Sequence, residues 1–192
     1  MVSTLAAGDW QPLFDGKSLD GWKSNDEKPG CFSVEDGAIK VSGGRAHLFY
    51  LGPDGKAAFK DFEFRAKVKT TPGSNSGLFF HTQFQESGWP ARGYEAQVNA
   101  THKDRRKTGS LYAVADVLDQ APNTDGEWFD YEVRVEGKRV TIKVNGKTCV
   151  EFTEPDLPEG TERRLSQGTF AIQAHDPNST VFFKDIQVRA LP

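Results

Sequence analysis

Six Asp-Gly or Asn-Gly dipeptides punctuate this chain: Asp15-Gly16, Asp20-Gly21, Asp36-Gly37, Asp54-Gly55, Asp125-Gly126 and Asn145-Gly146. Such pairs tolerate the positive φ angles of tight hairpin turns. Between them lie short runs that alternate apolar and polar residues with period two, as strands do. The clearest is 61–70, where Phe62, Phe64, Ala66 and Val68 point one way and Glu63, Arg65, Lys67 and Lys69 the other. Further strands are expected at 32–35, 38–41, 47–51, 77–84, 94–99, 110–114, 128–136, 139–144, 148–152, 168–175 and 180–189. The turns 136–138 and 145–147 join three of these into a meander. One short helix is expected at 159–166, with Pro158 suited to its start. A dozen short strands separated by Gly-rich turns read as an all-β fold, an antiparallel β-sandwich or jelly roll with long loops.

Size and charge narrow the function classes. At 192 residues the chain fits a single domain, and 14 Phe and four Trp supply a large apolar core. No linker or repeat divides it. The reading is a flexible N-terminal segment at 1–8 and one sandwich domain at 9–192. A net charge of −3 argues against a nucleic-acid partner. The single basic run, 102–107, reads as a solvated loop. No apolar stretch approaches the roughly 20 residues that span a bilayer. Cys31 and Cys149 allow one pair at most, and no CxxC motif exists for a thiolate metal site. The start has no apolar leader stretch, and Leu5-Ala6-Ala7 is readable as the remnant of a cleavage region.

Motif searches mostly fail. Gly73-Ser74-Asn75-Ser76-Gly77 has the outline of a nucleophile elbow with asparagine at its centre, so it offers no nucleophile. There is no HExxH, phosphate loop or strand-to-helix glycine fingerprint. More informative are Gly93-Tyr94-Glu95-Ala96-Gln97 and Gln173-Ala174-His175. Their strands place Glu95, Gln97 and Asn99 on one face, and Ala171, Gln173 and His175 on another. A face rich in Glu, Gln, Asn and His but free of Lys and Arg suits hydrogen bonding to a neutral ligand. Phe79, His81 and Gln83 on a third strand extend it. His175 precedes Asp176-Pro177 at a strand end, where sites tend to form. His47 reads as structural and His102 as solvated. Sugars present apolar C–H faces and many hydroxyls, so Tyr112 and Trp89 are candidate platforms. Trp10, Trp22 and Trp128 read as packing residues.

The segment Leu13-Phe14-Asp15-Gly16-Lys17-Ser18-Leu19-Asp20-Gly21-Trp22 resembles the opening signature of the 3-keto-disaccharide hydrolase domain family. Later landmarks follow in the family's order: Asp61-Phe62-Glu63-Phe64, Asn75-Ser76-Gly77-Leu78-Phe79-Phe80-His81, Gly93-Tyr94-Glu95-Ala96-Gln97-Val98, Thr108-Gly109-Ser110-Leu111-Tyr112 and Gln173-Ala174-His175. The resemblance implies a concanavalin-like β-sandwich, export to the periplasm or cell surface of a bacterium, and action on glycosides already oxidised to a 3-ketone.

A 3-keto group acidifies the neighbouring C2–H. Removing that proton gives an enolate that expels the aglycone, and water then adds to the enone. The reaction needs a base, an acid and a stabiliser for the enolate oxygen. Glu95 and His175 are the catalytic candidates, with base and acid unassigned. His81, Gln97, Tyr112 and Gln173 are candidate substrate-binding residues. No cofactor is firmly implied and no metal ligand is assigned, although Glu, His and Asn are compatible with a divalent cation. The expected partner is a carbohydrate, and the residues leave the oligomeric state open. Direct hydrolysis of unoxidised glycosides, which normally uses two carboxylates, ranks lower because Glu95 lacks an acidic neighbour on its strand face. The strongest rival is a non-catalytic carbohydrate-binding module on the same fold.

Overall fold

A computed structural model describes residues 8–25 and 27–192. The expected flexible segment, Gly8 apart, and the Leu5-Ala6-Ala7 stretch lie outside the described residues. Two antiparallel sheets face one another, as the turn spacing predicts. The larger contains, in spatial order, β11 (Lys147–Thr153), β10 (Arg139–Val144), β9 (Phe129–Glu136), β6 (Phe62–Thr70), β13 (Thr180–Ala190), β4 (Ala38–Ser42) and β3 (Phe32–Glu35). A two-residue strand, β1 (Gln11–Pro12), extends it by pairing with β13. The smaller sheet runs β2 (Trp22–Ser24), β5 (Ala46–Tyr50), β12 (Thr169–Ala174), β7 (Asn75–Thr82) and β8 (Tyr94–Asn99).

The core between them follows from the alternation. Phe62, Phe64, Ala66 and Val68 of β6 turn inward, and meet Phe80, Phe170 and Ile172 from the opposite sheet in one buried cluster. Phe170 has Phe59, Phe62 and Phe64 within 5.0 Å, centroid to centroid. Such contacts add to the apolar burial that stabilises the sandwich. The β9–β10–β11 meander forms as expected.

Two local expectations are corrected. Residues 159–166 form turns and bends rather than a helix. The buried Glu154 carboxyl accepts hydrogen bonds from Tyr94 Oη (2.7 Å) and the Leu165 amide (2.6 Å), which pins this loop to β8. Residues 110–114 form a turn rather than a strand: Leu111 bridges to Ala96 and Ala115, and Ala113 takes a positive φ of 56°. Cys31 and Cys149 are both free thiols. Trp22 packs in the core, whereas Trp10 and Trp128 lie on the larger sheet's outer face beneath cationic side chains.

The sheets differ in how their outer faces end. On the larger sheet the outer side chains are charged and solvated. On the smaller sheet β7, β8 and β12 are buried on both faces. Loops cover the smaller sheet's outer face, and the cleft between them is where the polar residues of β7, β8 and β12 emerge.

Candidate active site

A cleft of about 400 Å³ opens on the outer face of the smaller sheet. That is the size of a typical small-molecule site. Asn75, Phe79, Glu95, Gln97, Gln173 and His175 form its floor; Trp89, Pro90, Tyr112 and Arg163 rise from the loops. The structure therefore brings together Glu95, His175, Gln97, Tyr112 and Gln173, five of the six residues singled out from sequence.

The sixth, His81, is not in the cleft. Strand parity alone would place it beside Phe79, but a β-bulge intervenes. The β7–β12 register slips between the Thr169–Thr82 and Ala171–Phe79 pairs, and His81 takes a left-handed φ of 56°. The ring is rotated into the protein, where it meets Phe62 and Phe80 in T-shaped contacts. Its Nε2 donates to the Lys60 carbonyl (2.7 Å), and its Nδ1 accepts from the Ser166 amide (3.1 Å). Burial keeps it neutral by lowering its pKa, with the Lys60 bond opposing. His81 is thus structural. Gly93 and Gly168 hug the bulge so closely that a Cβ on either would collide with the Phe80 carbonyl or with the His81–Thr82 backbone.

Glu95 is 8% exposed and, among the described residues, has no cationic side chain bonded to it. Gln173 Nε2 donates to its Oε1 at 3.1 Å. Gln97, with its amide nitrogen turned toward Glu95, donates to the same oxygen at 3.2 Å and to the Ser76 carbonyl at 3.0 Å. Burial dominates over these bonds and raises the carboxyl pKa to about 8. The shift favours the protonated carboxylic acid at neutral pH. Both amides converge on Oε1, which leaves Oε2 to carry the proton. Gly77 makes room for this: a Cβ there would lie 2.9 Å from Glu95 Cγ and Cδ. Gln173 Oε1 is buried and has no partner among the described residues.

His175 sits half-buried at the end of β12. Its Nδ1 lies 2.9 Å from Asp176 Oδ2. Trp89 stacks at a tilt 5.7 Å away and His102 meets it edge-on at 5.3 Å. The 102–107 run is a loop with Lys103 and Arg105 exposed, as expected, but it is not solvated throughout. The run is a folded wall: Lys107 is buried and donates to the His102 carbonyl (2.7 Å), while Arg105 and Arg106 pair with Asp119 and Asp116. Burial, then the neighbouring His175, lowers the His102 pKa. Tyr112 Oη donates to Asp104 Oδ2 (3.2 Å), and its ring stacks with Arg106. Arg163 is exposed, donates to the Tyr112 carbonyl and lies 5.8 Å from the Tyr94 ring. Among the described residues it forms no ion pair with an acid.

Arg163, His102 and Asp176 were not identified from sequence. Arg163 and His102 reach the site from loops, which strand periodicity cannot place. Asp176 carried a signal, since it directly follows His175, but was read only as a loop start. His47 is buried as expected. Its ring nitrogens have no partner among the described residues, and burial lowers its pKa to about 4.

Among the described residues, His102, His175 and Asp176 form one group with metal-ligand atom types, these atoms lying within 4.8 Å of one another. The hydrogen bonds already present fit an ion poorly. Asp104 N–H donates to His102 Nδ1 (3.1 Å), so the His102 proton is on Nε2, which faces Asp176 Oδ2 at 3.7 Å. The His175 Nδ1 proton faces the same oxygen. Two N–H groups directed at a carboxylate do not offer lone pairs to a cation.

The fold and cleft define a concanavalin-like β-sandwich with a polar, aromatic-walled site on one sheet face. The chain belongs to the 3-keto-alpha-glucoside-1,2-lyase-like domain family, whose model matches residues 9–189. A 3-keto-disaccharide hydrolase from Bacteroides thetaiotaomicron is 27% identical over 165 residues, which cover 73% of this chain and 57% of that protein. The match thus spans little more than half the length of that relative. A provisionally named glycosyl hydrolase from Parabacteroides distasonis ATCC 8503 superposes with a TM-score of 0.78 at 24% identity, covering 95% of this chain and 94% of that one. The carbohydrate-binding module CBM66 from Bacillus subtilis superposes at 0.62 with 16% identity, covering 89% and 96%. These two structural likenesses carry the fold alone.

Proposed function

We propose that this protein cleaves 3-keto-glycosides by elimination across C1–C2 followed by addition of water. The observation that carries the proposal is Glu95, a buried carboxyl held by two amides on the floor of a cleft that also contains the His175 imidazole. The family name and the name of the Bacteroides relative support a keto-sugar substrate.

The roles follow from what each group touches. His175, with its proton on Nδ1, offers Nε2 as the base for C2–H. The C–H electron pair becomes the enolate, and its negative charge rests on O3. Arg163, the cleft's cation without an acid partner, stabilises that charge electrostatically. The enolate collapses, forming the C1=C2 bond and breaking the C1–O bond, while Glu95 Oε2–H protonates the departing oxygen. Water adds at C1 and a proton returns to C2. Trp89 and Tyr112 supply aromatic walls for the sugar's C–H faces. Because Gln97 and Gln173 already hold Glu95, they act on the substrate chiefly through it. We also propose export from the cytoplasm, which the resemblance implies and the free Cys31 and Cys149 do not oppose.

Turnover in deuterated water tests the route. The account expects one solvent deuterium at C2 of the released sugar, beyond that found in the product incubated alone. Release with the C2 proton fully retained would rule it out in favour of direct displacement at C1. Tight sugar binding without turnover would favour a binding module.

A further inference from the structure

Asp176 is fixed independently of the histidine it touches. It begins the turn between β12 and β13, and that turn folds back on its own carboxylate. Oδ1 accepts from the Asn178 amide (2.9 Å), and Oδ2 accepts from Ser179 Oγ (2.6 Å). The Ser179 amide closes the turn on the Asp176 carbonyl (3.1 Å). Ser179 Oγ also accepts from the Asn75 amide (2.9 Å), which ties the turn to the first residue of β7. The carboxylate is therefore held by a local Asx-type turn and by a neighbouring strand.

Its ionised form is maintained in this position. Burial opposes ionisation, but the bonds from Ser179, His175 and the Asn178 amide outweigh it and hold the carboxyl below its ordinary range. On the far side, His102 Nε2 faces Oδ2 at 3.7 Å, and its proton is fixed on that nitrogen by the Asp104 amide at Nδ1. Asn75 Nδ2, 3.2 Å from His102 Nδ1, favours the same tautomer. An anionic acceptor thus sits beside two imidazoles with only N–H edges toward it.

We propose that Asp176 is the positioning residue for His175: its carboxylate, held by the Asn178 amide and Ser179 Oγ, fixes the imidazole with the proton on Nδ1 and Nε2 free to act in the cleft. The inference rests on the reading of His175 as the base. The physical logic is that of any carboxylate–imidazole pair, in which the acceptor at one ring nitrogen decides which nitrogen is basic. An amide in place of the carboxylate would present N–H to Nδ1 and drive the proton to Nε2, where it blocks proton abstraction.

The test needs no ligand for its first arm. The chain has four histidines, so a nitrogen-15 spectrum of histidine-labelled protein is tractable. His175, assigned by its loss in His175→Gln, should show a protonated Nδ1 and an unprotonated Nε2 at neutral pH. In Asp176→Asn the two should exchange. Turnover of a 3-keto-glucoside by Asp176→Asn should fall by roughly 10²- to 10⁴-fold in kcat with KM little changed, as for the equivalent change in a serine-protease triad. Ser179→Ala, which loosens the clamp but keeps the carboxylate, should lose less than about tenfold. Wild-type His175 protonated on Nε2, or Asp176→Asn with unchanged tautomer and kcat, would overturn the proposal. If His175→Gln abolishes turnover while Asp176→Asn retains it, the positioning role alone fails. If His175→Gln itself retains turnover, the base assignment fails and the positioning role with it.

Discussion

The outer faces of the two sheets follow the same period-two pattern and end in opposite chemistry. On the larger sheet, Glu63 pairs with Arg134 and Arg189, Lys67 with Asp130, and Arg139 with Glu151. A groove of about 820 Å³ runs over this face, twice the size of the cleft on the other. Most of its charged side chains are already paired and partly solvated, and such pairs contribute little individually. The cleft floor on the smaller sheet carries one acid, three amides and an imidazole, covered by loops. Volume is therefore a poor guide here. Two desolvated groups, Glu95 with its raised pKa and Gln173 with its orphan oxygen, lie in the smaller cleft.

Substitutions on the two faces should separate sharply. Glu95→Gln is expected to lower kcat on a 3-keto-glucoside by about 10²- to 10⁴-fold, the range for loss of a general acid. Lys67→Ala on the charged face should leave kcat unchanged, and comparable losses from both would erase the distinction. Gly77→Ala is next. Its new methyl displaces the Glu95 carboxyl, so steady-state kinetics should show a fall of roughly 10- to 100-fold, with most of the stability retained. Tyr94→Phe removes a bond to the buried Glu154 and should cost about 1–3 kcal/mol in urea unfolding. Asp130→Ala, which breaks an exposed pair, should cost about 1 kcal/mol or less.

The pH dependence of stability offers a subtler contrast. Below about pH 4.5 Glu95 is protonated in both folded and unfolded chains and contributes nothing. Between there and about pH 8 the unfolded chain ionises while the folded one does not, so this group's contribution falls as pH rises. Glu95→Gln removes that loss. Its stability relative to wild type should rise across this window in urea titrations at successive pH values.

The sandwich was legible because its signal is local. Hairpin dipeptides and alternation fix strands one at a time, and β6, β9 and β10 emerged where expected within a residue. Glu95, Gln97, Gln173 and His175 share the cleft for the same reason, being on or at the end of regular strands, whereas Tyr112 reaches it from the turn at 110–114. His81 was misplaced because a bulge inverts parity, and nothing in 77–84 announces one. Its cause lies in Gly93 and Gly168, distant in sequence, whose missing side chains let the backbones close on it. Residues 159–166 suggested a helix from composition, but the contact with Glu154 holds them as an irregular loop. Arg163 and His102 depend on such loop placement, which periodicity does not encode. Asp176 was visible as a neighbour, but the turn that aims its carboxylate was not.

The most direct test of the central claim is aglycone release from a 3-keto-glucoside beside its unoxidised parent, for wild type and Glu95→Gln at pH 7. The account predicts release from the oxidised compound only, and its loss in the variant. Release from the unoxidised parent at a comparable rate, or equal release by Glu95→Gln, would contradict it.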